Sequence, residues 1–364
     1  MLSPNASLLL RLSSVSGIGP VRIQQLLTHY SYAQLHAATL TDWQNWGLST
    51  KQCQELEQGN HSLECSLKWL EYSSHQLVSL ADEMYPERLK MISSPPPVLF
   101  VVGDMALLNA PQVAIVGSRH AGFNAMEQVR RLASELAALR VVVTSGLALG
   151  IDSAAHQGAL MQGKTIAVMG TGPDQVYPRR HRKLAETILE QGAIVTEFPP
   201  GTVPRAQNFP RRNRVISGLS LGVVVSEAAR QSGSLITAKY ALEQNRELFA
   251  IPGNIDNPLT QGPHQLIQHG AKLVTCCGDI LDELWPLMPD ILDKVALDTD
   301  NIDQQQLPSG GLLDNVGYET TTIDQVVERS LLPVDKVISA LIELEMSGEI
   351  VAVSGGYVRL RRNP

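Results

Sequence analysis

Cysteine is scarce. The 364-residue chain has four, Cys53, Cys65, Cys276 and Cys277, with no CxxC pair and no ligand-like spacing. That excludes a disulfide framework and a structural zinc site, and makes a reducing cytoplasm the expected setting. Long apolar runs are missing as well. None reaches the roughly 18 residues of a membrane span, and the opening MLSPNASLLLRL has neither the basic start nor the cleavage site of an export signal. Aromatic residues are only 5% of the chain, and 29 Lys and Arg face 36 Asp and Glu, a net charge of -7. A surface this poor in positive charge cannot coat a polyanion broadly, so any site for one must be local.

What is present divides the chain into segments. In residues 1–75, apolar positions at helical spacing (Leu8, Leu9, Leu12, then Val21, Ile23, Leu26, Leu27) flank Gly17-Ile18-Gly19, which predicts a small helical, SAM-like domain with a helix-hairpin-helix turn. Either packing alone or a phosphate at the helix start accounts for that turn. Pro86 to Pro97 reads as a stiff extended connector, and the main domain is expected over 76–288. There, six runs alternate with helical stretches: Val113–Val116, Val141–Thr144, Thr165–Met169, Ala193–Thr196, Val223–Val225 and Leu248–Ile251. Continuously apolar strands separated by helices predict a doubly wound, Rossmann-like parallel sheet buried on both faces.

Residues 289–316 carry six Asp against one Lys and read as an acidic linker. Residues 317–364 give two amphipathic helices and a hairpin turning at Ser354-Gly355-Gly356, the pattern of a winged helix. The second helix holds Asp335, Glu343 and Glu345 against Lys336, which suits a protein partner better than a DNA groove.

In a doubly wound sheet ligands bind at the carboxyl ends of the strands. The loops expected there are rich in glycine and arginine: Gly117-Ser118-Arg119, Ser145-Gly146 through Asp152, and Gly170 to Asp174. A fourth loop has Arg205, Arg211, Arg212 and Arg214 with Phe209 and no acid among them, and Arg179 to Lys183 form a second basic cluster. Backbone amides and arginine forks of this kind suit phosphate. Ser234 is placed to cap the helix that follows Ser232-Gly233, and Lys239 to reach the same anion.

Other motifs lack their context. Gly158 to Thr165 fits GxxxxGK[ST], but it ends a helix and opens a strand, the reverse of a phosphate-binding P-loop. Gly117 to Gly122 lacks the middle glycine of GxGxxG and no acid follows the second strand, so no nicotinamide cofactor is expected. Asp152 and His156 read as a polar pair or as a helix cap beside a surface histidine. No set of nucleophile, base and orienter stands out, so no catalytic residue, cofactor or metal is assigned.

Taken together, Val113-Ala-Ile-Val-Gly-Ser-Arg119, Ser145-Gly-Leu-Ala-Leu-Gly-Ile-Asp152, Phe209-Pro-Arg-Arg-Asn-Arg-Val-Ile-Ser-Gly-Leu-Ser220, Gly233-Ser-Leu-Ile-Thr-Ala238 and Phe249-Ala-Ile-Pro-Gly253 resemble the DprA/Smf family of bacterial DNA-processing proteins. The resemblance implies a homodimer that binds and protects single-stranded DNA and loads the RecA recombinase onto it in natural transformation and recombination, without catalysis. It implies a strand groove lined by Arg119, Arg179, Arg211, Arg212 and Arg214, with Gly117, Ser118, Gly146, Asn213, Ser234 and Lys239 contributing. One departure is Asn245 before Arg246, where the family has glycine; asparagine also serves as a helix C-cap. The other is that Phe209 alone, among aromatics, is close in sequence to the basic loop, so phosphate contacts are expected to dominate, with bases splayed into small pockets. The alternative is a nucleotide-cleaving enzyme similar to the Rossmann-type phosphoribohydrolases, although Gly233 to Lys239 lacks their glutamate.

Overall fold

The computed structural model describes residues 2–288, 312–330 and 332–360; most of the expected acidic linker, 289–311, lies outside the described residues. The front is six short helices, Pro4–Ser14, Pro20–His29, Tyr32–Ala37, Leu40–Asn45, Thr50–Gln58 and His61–Trp69. Five start on a small polar residue (Ser3, Ser31, Thr39, Ser49, Asn60) whose side chain accepts from a first-turn N–H, meeting donors that a helix start leaves without partners.

Nine strands form one sheet: β1 (His75–Ser79), β2 (Val98–Gly103), β3 (Gln112–Gly117), β4 (Val142–Ser145), β5 (Thr165–Val168), β6 (Ala193–Thr196), β7 (Gly222–Ser226), β8 (Glu247–Ala250) and β9 (Lys272–Leu273). Their order is β1-β2-β6-β5-β4-β3-β7-β8-β9. From β6 to β9 all pairings are parallel, and β3 to β7 are buried along their whole length, as helices on both faces require. The six expected strands are β3 to β8. The sheet also gains an antiparallel edge, β1 on β2 and β2 on β6. The Pro86–Pro97 connector is not extended throughout: Glu87–Lys90 is helical, with Pro86 at its N-cap, where a missing N–H costs nothing, and Leu89 fully buried.

The helical front and the sheet share a core. Leu9, Leu12, Ile23 and Trp69 cluster with Val98 and Phe100 of β2, and Trp69 meets Phe100 edge-on at 5.5 Å. The C-terminal unit has helices Ile323–Ser330 and Val334–Met346 and a hairpin, β10 (Ile350–Val353) and β11 (Gly356–Arg359), around Val326, Val337, Leu341 and Ile350. Thr321 bridges to Tyr357 beside the hairpin. It is a winged helix. Among the described residues no helix is long and apolar enough to cross a membrane.

Candidate nucleic-acid interface

The chain runs outward from β3 through β4 and β5 to β6, then crosses back to β7 on the other side of β3. Loops leaving β3 and β7 therefore diverge, and a crevice opens at this switch point. A cleft of about 650 Å³ lies there, between Gly117–His120 after β3, Gln231–Ser234 after β7 and the start of helix Asn208–Leu219. Glycine is required at its wall. A Cβ on Gly117 would stand 2.0 Å from the Ser226 carbonyl oxygen, and Gly150, at φ 70°, lies against the Ser118 carbonyl that accepts from Ile151 N at 3.1 Å. Ser234 does not cap its helix as expected. It is the first helical residue, and its hydroxyl turns back to donate to the Gly117 carbonyl at 2.6 Å, which ties the two loops together.

The cleft floor is a buried polar lattice around Arg212. Nη1 donates to the carbonyls of Gly146 (2.5 Å) and Val168 (2.6 Å), and Nε to Oδ1 of Asn213 (3.1 Å). Asn213 Nδ2 in turn donates to the Gly233 carbonyl at 3.2 Å. A Cβ on Gly146 would be 2.1 Å from the guanidinium, so glycine is what admits it. Burial brings the Arg212 pKa down to about 10, against the pull of Asp152. Asp152 accepts from the amides of Gly146 (3.1 Å) and Ala148 (3.3 Å); burial pushes its carboxyl up while Arg212 draws it back.

His156 is fully buried, not a surface residue, and it does not pair with Asp152. Its Nε2 accepts from Leu147 N at 3.3 Å and its Nδ1 faces Thr165 Oγ1 at 2.7 Å. Burial holds its pKa at about 3, reinforced by His181 and Arg212. With Nε2 an acceptor, Nδ1 carries the proton. Aspartate and histidine thus clasp one loop, which includes Leu147 at φ 57°.

Above this floor the exposed groups are of a different kind. Arg119 stands over the ring of Phe209, 5.4 Å from its centroid, and Phe209 faces Tyr177 at 5.6 Å. Arg179 opens an exposed turn two residues beyond Tyr177. Arg211, its side chain half exposed, lies 5.1 Å over Phe198 and 3.4 Å from Glu197 Oε2.

Residues 76–285 match the model of DNA recombination-mediator protein A, residues 4–62 the SMF/DprA SAM domain and residues 299–356 the DprA winged helix domain. The chain belongs to the DprA/Smf family. Protein Smf of Escherichia coli K12 is 46% identical to this DprA/Smf chain over 362 residues, 97% of this chain and 95% of that protein. DNA processing protein A of Streptococcus pneumoniae superposes with a TM-score of 0.68 at 37% identity, over 78% of this chain and 99% of that one. DNA processing protein A of Helicobacter pylori, solved for its single-stranded DNA binding mode, superposes at 0.53 with 30% identity, over 58% and 96%.

Within this DprA/Smf chain the structure sorts the sequence-derived residues into three groups. Gly117, Ser118, Arg119, Arg212, Asn213 and Ser234 line the cleft, and Gly146 and Arg119 border a small hollow beside Tyr177. Arg179 and Arg211 are exposed and line neither the cleft nor the hollow, Arg179 following Tyr177-Pro178 and Arg211 lying over Phe198. Arg212 is in the floor and does not project into solvent, because its backbone partners hold it there. Arg214 departs from the expected groove. It is buried, 2.5 Å from Glu197 Oε2, and donates to the Ser94 carbonyl, since the helix turns position 214 away from the side on which Arg212 meets Gly146 and Val168. Lys239 is exposed, pairs with Glu243 at 3.7 Å and is not among the cleft-lining residues. No sequence pattern pointed to a role for Tyr177, which lies 32 positions from Phe209, or to the loop-holding roles of Asp152 and His156.

Proposed function

We propose that this DprA/Smf member is a cytoplasmic, non-catalytic protein that binds single-stranded DNA across the switch-point cleft, protects it and passes it to the RecA recombinase, acting as a homodimer in natural transformation and recombination. One observation carries the binding reading: a chain of net charge -7 sets exposed Arg119 on the cleft wall beside the rings of Phe209 and Tyr177, with exposed Arg179 two residues from Tyr177 and half-exposed Arg211 two residues from Phe209. Guanidinium forks suit phosphates, and rings suit bases in single strands. The Helicobacter pylori relative's single-strand binding supports the same reading; the recombinase and the dimer follow from the family resemblance.

The cleft also argues for binding over chemistry. Asp152 is the one carboxylate lining it, and loop amides and Arg212 engage that group, so it is committed to holding the loop.

The test is fluorescence anisotropy with labelled single- and double-stranded oligonucleotides. Wild type should prefer the single strand, and Arg119→Ala should weaken that binding while leaving the thermal transition in place. Equal affinity for duplex and single strand, or an unaltered Arg119→Ala, would refute the assignment. RecA filament assembly on coated strands, followed with and without this protein, tests the loading step.

A further inference from the structure

We propose that His181 is a positioning residue of the strand site: its imidazole latches the turn that carries Arg179 onto the loop between Ser145 and Gly150. The proposal depends on the single-strand reading above and adds what holds one of its cations in place.

His181 is the N-cap of helix Arg182–Gln191, yet its side chain makes no capping bond there. Its Nδ1 lies instead 2.9 Å from the Leu147 carbonyl oxygen, 34 positions away. A ring nitrogen facing a carbonyl is the protonated one, so His181 donates. The residue that accepts is itself fixed. Leu147 is fully buried at φ 57°, and its N–H donates to His156 at 3.3 Å. Asp152 accepts from the amides on either side of it, those of Gly146 and Ala148. Both polar backbone groups of one residue thus end on imidazoles in opposite roles: buried His156 accepts and half-buried His181 donates.

Arg179–His181 form one short helical turn, closed by His181 N donating to the Pro178 carbonyl at 2.9 Å. Arg179 and Arg180 are exposed on it. Upstream the chain is secured where Thr171 Oγ1 donates to the Gln175 carbonyl at 2.6 Å and where Asp174 accepts from Gly201 N at 2.8 Å. Downstream the His181 imidazole ties it to Leu147. A guanidinium on a turn held at both ends loses less freedom on meeting a phosphate than one on a loose turn, so the latch appears as affinity without touching the strand.

The experiment begins with strand-free protein and hydrogen exchange. The amides of His181 and Arg182, which close the turn, should be protected about two- to tenfold less in His181→Ala, the range of one hydrogen bond's net contribution. His181→Asn, whose side-chain amide can donate where Nδ1 did, should keep the wild-type protection. Anisotropy with oligo-dT should follow the same pattern: about two- to tenfold weaker binding for His181→Ala and wild-type binding for His181→Asn. In an Arg179→Ala background, His181→Ala should cost no further affinity, because the two act as one unit. Circular dichroism checks the fold; should the alanine variant unfold, His181→Leu, which fills the space without a donor, takes its place with the same expectations. A folded His181→Ala with wild-type protection or wild-type affinity overturns the proposal. So does a full loss of affinity in His181→Asn, or a further loss in the Arg179→Ala background, either of which would make the ring a direct contact of the strand and leave the single-strand reading intact. A wild type that binds no oligo-dT removes that reading and this one with it.

Discussion

Arg212 and Gly146 behave as one unit. A methyl group at position 146 would stand 2.1 Å from a guanidinium that two carbonyls hold in place, so neither partner has room to retreat. Gly146→Ala should cost about 1–3 kcal/mol of stability, the usual penalty for overpacking a filled interior, read from the urea midpoint. His156 gives a pH signature. Its folded pKa, about 3, lies below the 6.5 of an ordinary histidine; as pH falls through 6.5 the unfolded chain takes up a proton that the folded one refuses. This component is complete above 6.5 and drains away toward 3, by about 2 kcal/mol between pH 7 and pH 5. Unfolding at the two pH values should show it in wild type and not in His156→Gln. Neither role was legible in the sequence, because Asp152 and His156 at spacing four suggest each other, whereas the loop between Ser145 and Gly150 takes them both.

At the scale of one element, helix Asn208–Leu219 divides its arginines by direction. Consecutive residues turn about 100° around a helix, so Arg211 faces solvent while Arg212 and Arg214 turn inward. The run Arg-Arg-Asn-Arg reads in sequence as one basic patch because periodicity identifies a buried face only when polar and apolar residues alternate on it. The two variants should separate cleanly. Arg211→Ala should weaken strand binding with little change in stability. Arg214→Ala removes the nearer partner of Glu197, whose side chain is 4% exposed, and should cost about 3 kcal/mol. Paired urea melts and anisotropy titrations would show the crossover, and a stable, weakly binding Arg214→Ala would contradict it. The strands were legible for the opposite reason: continuous Val and Ile runs admit few other readings. β1 and β2 were not, since they flank a proline-rich stretch and take their place through antiparallel pairings, β1 on β2 and β2 on β6, that no local pattern announces. Asn245, at φ 53°, does fill the glycine position at its helix end.

For the whole molecule, an acidic chain with a local cationic site should show a modest salt dependence. Each phosphate contact on a single strand adds about 0.7 to the slope of log affinity against log salt, so Arg119, Arg179 and Arg211 together imply a slope of about -2. Titrations at several salt concentrations would measure it, and a slope near zero would remove phosphates from the account. The shared core of the front helices and β2 bears on how the chain is made. Leu9, Leu12 and Ile23 leave the ribosome first, yet Val98 and Phe100, which complete their cluster, are synthesised some 75 residues later. The front must therefore wait with its apolar face uncovered until the second strand has emerged. A nascent chain halted just short of Val98 should be cut readily by protease within its first helices, and one halted after Gly103 has cleared the exit tunnel should resist.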